Sequence, residues 1–423
     1  MVSYRSLFAI REFRYLYAGL SLSYIGDKFA SLAVAVLVFD RTGSGLLTGV
    51  AQASAFLPAL VAGPLFGALA DRLPRRRVLI VCDMARAFLV MALLVPGAPM
   101  WLLIVLLYTG SLFTPPFVAA RAALIPEILD GAASIAGNGL NRITYQLCQV
   151  AAYGAGGMLV AATGHERALV INAATFAISA ALTAIGVRSR PRALPRDSAR
   201  SVLGDAREGM RYVFADPWLR ACLLLVWSVS MFAHAPEAIA HPYATHLGAE
   251  APAAGLLLSA TALGFALGTA FLTRLVPSLV LDRLIVPFAV LAGGAMVPLI
   301  LSPPLLVVLV SLFVSGVGCS FSAPLLAMFA RRVDLEYRGR AVGVAIAGLT
   351  GGQGIGFLLA GALFALDVDP ARTSAVCGAA ALVAAITAGF AVSRASRCVA
   401  PGSRPVGSSR SRPDRRRRGA HRR

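Results

Sequence analysis

From Leu16 to Phe39 the chain carries only two charged side chains, Asp27 and Lys28. As a helix such a run is about 35 Å long, enough to cross the hydrocarbon core of a bilayer. The pattern recurs at Leu46–Ala70, Val78–Val95, Met100–Ala120, Ile135–Ala162 and Ala168–Val187. After a polar interruption it returns at Leu219–Ala240, Ala253–Leu272, Leu284–Leu301, Leu305–Ala330, Ala341–Leu366 and Ser374–Val392. Twelve such runs in 423 residues leave little chain for anything else. The expected fold class is therefore an all-α membrane protein with twelve transmembrane helices. Composition agrees: the chain is 58% hydrophobic and 14% charged, with a mean hydropathy of +0.75. A soluble domain so poor in charge would expose apolar surface over most of its area.

The net charge of +19 is explained by where the charges fall. Cytoplasmic flanks of spanning helices retain Lys and Arg. With the N-terminus inside, the outer loops hold only Arg41, Arg167 and Arg372, while Lys28, Arg86 and Arg142 lie within spans. All the other basic residues then fall on the cytoplasmic side, and the outer loops carry Asp40, Glu166, Glu250, Asp367 and Asp369. This alternation predicts a multi-pass cell-membrane protein with both termini cytoplasmic. Nothing before Arg14 has the form of a removable signal peptide.

The interruption at 188–217 divides the chain into an N-terminal half, 1–187, and a C-terminal half, 218–393, each with six runs. Its first part is basic and broken by prolines. Its second part places Val202, Leu203, Ala206, Met210, Val213 and Phe214 on one helical face, which suits a helix at the cytoplasmic surface or a linker helix packed on the bundle. A faint repeat supports the division. Gln149–Leu159 aligns with Gln353–Leu363, matching Gln149 with Gln353, Tyr153 with Phe357 and Gly157 with Gly361. Two pseudo-symmetric six-helix halves predict a transporter with its substrate site between them near the midplane.

Between the second and third runs the chain reads Gly67-Ala-Leu-Ala-Asp71-Arg72-Leu-Pro74-Arg75-Arg76-Arg77. Gly63 and Gly67 leave a flat strip for close helix approach, and Asp71 at the helix end can pair with a nearby arginine or a facing helix N-terminus. This loop resembles the signature of the major facilitator superfamily. Ser23–Asp27, Ala122–Glu127, Asn172–Phe176 and Arg338–Ala341 are similar to segments of its bacterial drug- and siderophore-exporter branch. The resemblance covers nearly the whole chain and implies the major facilitator fold. It also implies that Gly67, Asp71, Arg72, Arg75, Arg76 and Arg77 form a cytoplasmic gate that latches the halves when the cavity faces outward. Headgroup anchoring accounts equally well for the individual arginines. Two departures stand out: Pro74 replaces a glycine of the pattern, and Ala152-Tyr153 replaces the Gly-Pro expected of antiporters in the fifth span.

A charge inside a spanning helix costs about 2.5–3.5 kcal/mol on insertion scales, so each one calls for a role. Asp27 lies near the midplane, about 17 Å along the helix from Leu16. In the exporters that the chain resembles, an acid in the first span is a common site of proton coupling; a structural ion pair is the other reading. Asp83 and Arg86, three apart, share a helix face and are expected to form a structural ion pair. Arg121 and Arg142 could each meet an anionic group or snorkel to the headgroups. Asn138, Asn141, Gln146 and Gln149 form a polar stripe on the fifth run. Asn141, Arg142, Gln146, Gln149 and Gln353 are thus candidate substrate contacts. Glu237, placed near the outer end of the seventh run with His234, His241 and His246 around it, is a candidate outer gate together with His234.

The spacing of these histidines matches no metal-ligand pattern, and the six cysteines are scattered singly, so neither metal nor cofactor is expected. No GxxxxGK[ST] loop and no compact nucleophile–base set is present, which argues against ATP-driven transport and against an enzyme. The segment 394–423 ends PDRRRRGAHRR and holds a single acid, Asp414; it is expected to be disordered and held by anionic lipids, without nucleic-acid binding. The expectation is a monomeric, proton-coupled exporter of a hydrophobic or amphipathic small molecule such as a drug, antibiotic or siderophore. An uptake symporter on the same fold, or a non-transporting sensor or scaffold, is the alternative.

Overall fold

The computed structural model describes residues 4–58, 73–190, 202–249, 251–334 and 336–398. Among these residues all regular structure is helical. The helices before residue 190 are α1 (Tyr4–Ala9), α2 (Arg11–Thr42), α3 (Gly45–Ala53), α4 (Arg75–Ala92), α5 (Met100–Leu112), α6 (Thr114–Ile128), α7 (Gly131–Thr163) and α8 (His165–Gly186). After it come α9 (Val202–Ala215), α10 (Pro217–His234), α11 (Ala240–His246), α12 (Ala251–Arg274), α13 (Ser278–Gly294), α14 (Leu305–Cys319), α15 (Ser322–Arg332), α16 (Arg338–Ala365) and α17 (Pro370–Cys398).

Local chemistry sets the ends. Gly43 closes α2 in the left-handed region, φ 61°, with its N–H on the Phe39 carbonyl. Asp216 caps α10, accepting from the N–H groups of Trp218 and Leu219 at 2.7 and 3.0 Å, with Pro217 at the first helical position. Proline also breaks spans internally. Pro115 and Pro116 open α6 directly after α5, and Pro236 sits in a 3-10 turn, Ala235–Ile239, between α10 and α11.

Nine helical stretches among the described residues are long and apolar enough to cross a membrane. Four of them run through an internal break: Met100–Ile128, Pro217–His246, Val280–Leu301 and Leu305–Arg332. The third and fifth apolar runs also form long helices, α4 and α7, packed among the nine. The second run enters residues 59–72, outside the described residues. Large apolar side chains such as Phe88, Ile185 and Phe390 point outward at 74%, 68% and 69% exposure, the surface of a bundle solvated by lipid.

Three apolar cores give the bundle its shape. At the end where α2 begins there are two separate cores. One gathers Leu7, Phe13, Leu16, Leu79, Phe117 and Leu124; the other gathers Val213, Trp218, Leu219, Phe321 and Phe329. At the opposite end a single core runs through both groups of helices, joining Leu32–Val38 and Val160 to Tyr243, Leu257, Leu299 and Leu312. Glycines make that junction. A Cβ added at Gly157 of α7 would lie 2.6 Å from the Ala251 carbonyl, and one at Gly361 of α16 would lie 2.8 Å from the Gly45 carbonyl. The two glycines that the internal repeat aligns therefore seat the two crossings between the helix groups.

Candidate functional site

The two helix groups share one core at the far end and part into two at the end where α2 begins. Charged and polar side chains of α2, α4, α6, α7 and α8 gather within the first group. Gly26 brings α2 onto α8: a Cβ there would meet Thr175 Oγ1 at 2.0 Å and Asn172 Oδ1 at 2.5 Å. Two segments singled out in the sequence, Ser23–Asp27 and Asn172–Phe176, thus pack directly on one another. The contact fixes the roll of α2 and turns Asp27 toward α4.

Arg86 of α4 meets two carboxylates. Its Nη2 donates to Asp83 Oδ1 at 2.8 Å, and its Nη1 lies 3.7 Å from Asp27 Oδ2. The guanidinium is sandwiched between the rings of Phe117 and Phe176, at 4.4 and 4.6 Å from their centroids. Asp83 is fully buried and Arg86 is 5% exposed, whereas the Asp27 side chain is 41% exposed. Asp83 Oδ2 is buried with no hydrogen-bond partner among the described residues. The cluster is thus a closed pair, Asp83–Arg86, with one accessible carboxylate attached to it.

Next to it stands an aromatic group. Lys28 Nζ lies over the rings of Tyr145 and Tyr153, at 5.7 and 5.4 Å. Tyr145 meets Tyr24 edge-on, with ring centroids 5.0 Å apart. Arg121 donates to the Tyr24 hydroxyl, which in turn donates to Asn141 Oδ1 at 3.2 Å. Gln146 and Gln149 are half-buried further along α7, and Gln353 is half-buried on α16. Arg142 is exposed. The four-residue spacings Tyr24–Lys28 and Asn141–Tyr145 were available in the sequence as helix-face signals. That these two faces meet was not.

Glu237 departs from the expected position. It lies inside the 3-10 break of a span that runs on to His246, and not near the outer end. Prolines 236 and 242 interrupt this span without ending it, and α11 adds its last part. Glu237 shares a pocket with Pro236, Tyr243, Leu257, Thr261 and Leu312, and the Tyr243 hydroxyl is buried with no partner among the described residues. His234 is held by its own helix, with Nδ1 3.0 Å from the Ser230 carbonyl. Nearer the far end of the span lies His241, whose Nε2 is 3.4 Å from Asp40 Oδ1 and whose ring stands edge-on to Phe39.

Gly67, Asp71 and Arg72 of the loop motif lie outside the described residues. Of its arginines, Arg75 pairs with Glu127 and donates to the Ala123 carbonyl at 3.1 Å; Arg76 donates to the Ala184 carbonyl. Glu12 and Arg190 pair nearby, and the Arg190 guanidinium is held more firmly protonated by that carboxylate. All these contacts stay within the first group of helices.

Apolar helices long enough to cross a membrane, with a buried ion pair and an accessible carboxylate between them, fit a membrane transporter. The chain matches the family model of the Major Facilitator Superfamily over residues 16–305 and 230–415. It belongs to that superfamily, whose members are transporters and not enzymes. It is 29% identical over 359 residues to the multidrug efflux pump Tap of Mycolicibacterium fortuitum, covering 80% of this chain and 85% of that protein. It is 26% identical over 239 residues to macrolide efflux protein A of Streptococcus pyogenes, covering 53% and 56%. In three dimensions it is similar to the nucleoside transporter NupG (D323A mutant), with a TM-score of 0.71 at 15% identity over 89% of this chain and 98% of that one. That likeness shows the fold alone.

Proposed function

We propose that this protein is a secondary active exporter that moves an amphipathic small molecule outward in exchange for protons, by alternating access. Asp27 carries the reading. It is the one carboxylate of its cluster that is accessible, while the Arg86 it faces is already engaged by Asp83. A proton taken up on Asp27 leaves the Asp83–Arg86 pair intact, so the site can load and unload without dismantling its surroundings. Efflux as the direction is supported by the two relatives described above, both named as efflux proteins.

The spans number twelve, in halves 1–187 and 218–393 joined by the linker 188–217. The paired glycine crossings at Gly157 and Gly361 support this, as do the internal breaks of both the Met100–Ile128 and Leu305–Arg332 spans. Both termini are cytoplasmic, as the arginine distribution requires, so the open end is the inward-facing one. The Gly67–Arg77 loop with Asp71 latches the halves when the cavity faces outward; in the inward-open state Arg75 and Arg76 rest on their own half. Asn141, Arg142, Gln146, Gln149 and Gln353 supply neutral and charged contacts to substrate, and Glu237 with His234 borders the closed outer side. The protein works as a monomer, and its arginine tail lies on anionic lipid.

The test is accumulation of a panel of amphipathic drugs, organic anions among them, in energised inverted membrane vesicles. Accumulation that a protonophore collapses, and that Asp27→Asn removes, is expected. Accumulation in right-side-out vesicles instead would make the protein an uptake symporter, and the lack of any drug-dependent proton flux would overturn transport altogether.

A further inference from the structure

Lys28 is the only lysine in a chain with 39 basic residues, and the proton cycle above does not use it. Its ammonium lies over the faces of Tyr145 and Tyr153. On the same aromatic group lies a second cation: the Arg121 guanidinium is 5.4 Å from the centroid of Tyr24 and donates to its hydroxyl. Tyr24 and Tyr145 touch edge to face. Two cations therefore share one continuous aromatic wall, built from α2, α6 and α7.

Rings hold a cation by their quadrupole and do not neutralise it. Carboxylates on this wall are scarce. Asp27 is turned to Arg86, and the remaining acid that acts on Lys28 is Glu237, from the other helix group. Among the described residues no carboxylate lies against Arg121; the charged or ionisable neighbour it feels is Tyr145. An ammonium acted on by Asp27 and Glu237, of which Asp27 already faces Arg86, and a guanidinium with no carboxylate against it among the described residues make a site that an anion completes. The wall is also open: Tyr145 is 37% exposed on a helix deep in the bundle.

We propose that Lys28 and Arg121 bind the anionic group of the transported molecule, with Tyr24 and Tyr145 stacked against its apolar body. The substrate class is then an amphipathic organic anion, bearing a carboxylate, sulfonate or phosphate ester on an aromatic or similarly flat frame. The inference rests on reading this site as part of the substrate path, but not on the direction of transport or on proton coupling.

The experiment uses the full chain in neutral phosphatidylcholine nanodiscs without any ion gradient. Three matched probes are titrated against tryptophan fluorescence: 2-naphthoate, 2-naphthylmethanol and 2-naphthylmethylammonium. The anion should bind about tenfold tighter than the neutral alcohol, the size of effect expected of a charge-assisted contact, and the cation weaker than either. Lys28→Met and Arg121→Met should each remove the anion's advantage over the alcohol measured on the same variant, whereas Lys28→Arg and Arg121→Lys should retain it. The thermal unfolding midpoint reports that each variant is folded. Preference for the cation, equal or absent binding of all three probes, or an anion advantage that survives both methionine variants would overturn the proposal. The last result would place anion binding on the arginine-rich surface. Since no gradient is present, failure here is separate from failure of proton-driven export.

Discussion

Arg86 of α4 lies 3.7 Å from Asp27 of α2, across a contact between helices. The same guanidinium is held at 2.8 Å by Asp83, one turn away on its own helix. One cation thus faces two acids, and the two acids are unequal in access. Asp83 is sealed, and Asp27 is accessible. The inequality lets one carboxylate serve structure while the other exchanges a proton.

Asp27→Asn should therefore abolish proton-driven efflux at normal expression. The amide is isosteric, and Arg86 keeps its closer partner, so the loss of stability should stay within about 1 kcal/mol, as for a solvent-accessible pair. Thermal unfolding in detergent and drug accumulation in inverted vesicles read the two effects separately. Retained efflux would remove Asp27 from the coupling role.

Arg86→Met should behave in the opposite manner. It strands Asp83 as a buried, unpaired acid, a change that costs about 3–5 kcal/mol in comparable buried pairs. The double variant Asp83→Asn/Arg86→Met removes the stranded charge and should recover most of that loss. A double variant that unfolds as early as Arg86→Met would show that Arg86 stabilises through its sandwich between Phe117 and Phe176 alone.

The sequence could supply the Asp83–Arg86 pair, because residues three apart on a helix must share a face. It could also place Asp27 at mid-span, because depth follows from counting residues. It could not supply the Asp27–Arg86 contact. That depends on which helix lies beside α2 and on its roll, both set by Gly26 against Thr175 and Asn172. Glu237 was misplaced for a related reason. Hydropathy ends a span where polar residues gather, but the prolines at 236 and 242 make a break that the helix continues past. Tyr24, Lys28 and Tyr145 were readable as helix-face spacings, yet their meeting is a tertiary fact.

Closure at the far end rests on backbone contact at small residues, and that is testable by filling the gap. A Cβ at Gly157 meets the Ala251 carbonyl at 2.6 Å and the Pro252 Cα at 2.9 Å, both backbone atoms that cannot step aside. Gly157→Val should wedge α7 from α12, at a cost of about 1–3 kcal/mol for overpacking, borne only by the closed state. A cysteine placed at Ala254, fully buried in that crossing, should then react with an impermeant maleimide about tenfold faster or more, from the face opposite the α2 N-terminus. Unchanged labelling would mean that this crossing does not close the cavity.

The linker helix α9 is clipped to the start of α16 by three contacts. Tyr212 stacks on Tyr337 with ring centroids 4.7 Å apart and an interplanar angle of 9°. Its hydroxyl donates to Asp334 Oδ2 at 3.0 Å, and Arg340 pairs with Glu208 at 2.9 Å. Gly209 sits flush on Arg340, where a Cβ would come within 2.8 Å of the arginine's own Cβ. Stacking of this kind is worth about 0.5–1.5 kcal/mol beyond buried area, and the hydroxyl bond adds about 1 kcal/mol more. Tyr212→Ala should therefore raise amide exchange across residues 207–215 by at least about tenfold, while α2, α7 and α10 keep their protection. Tyr212→Phe removes only the hydroxyl bond and should give a smaller rise. If both variants exchange like the parent, α9 is held by the apolar face of the bundle, to which Val213 belongs, and the clip to α16 is incidental.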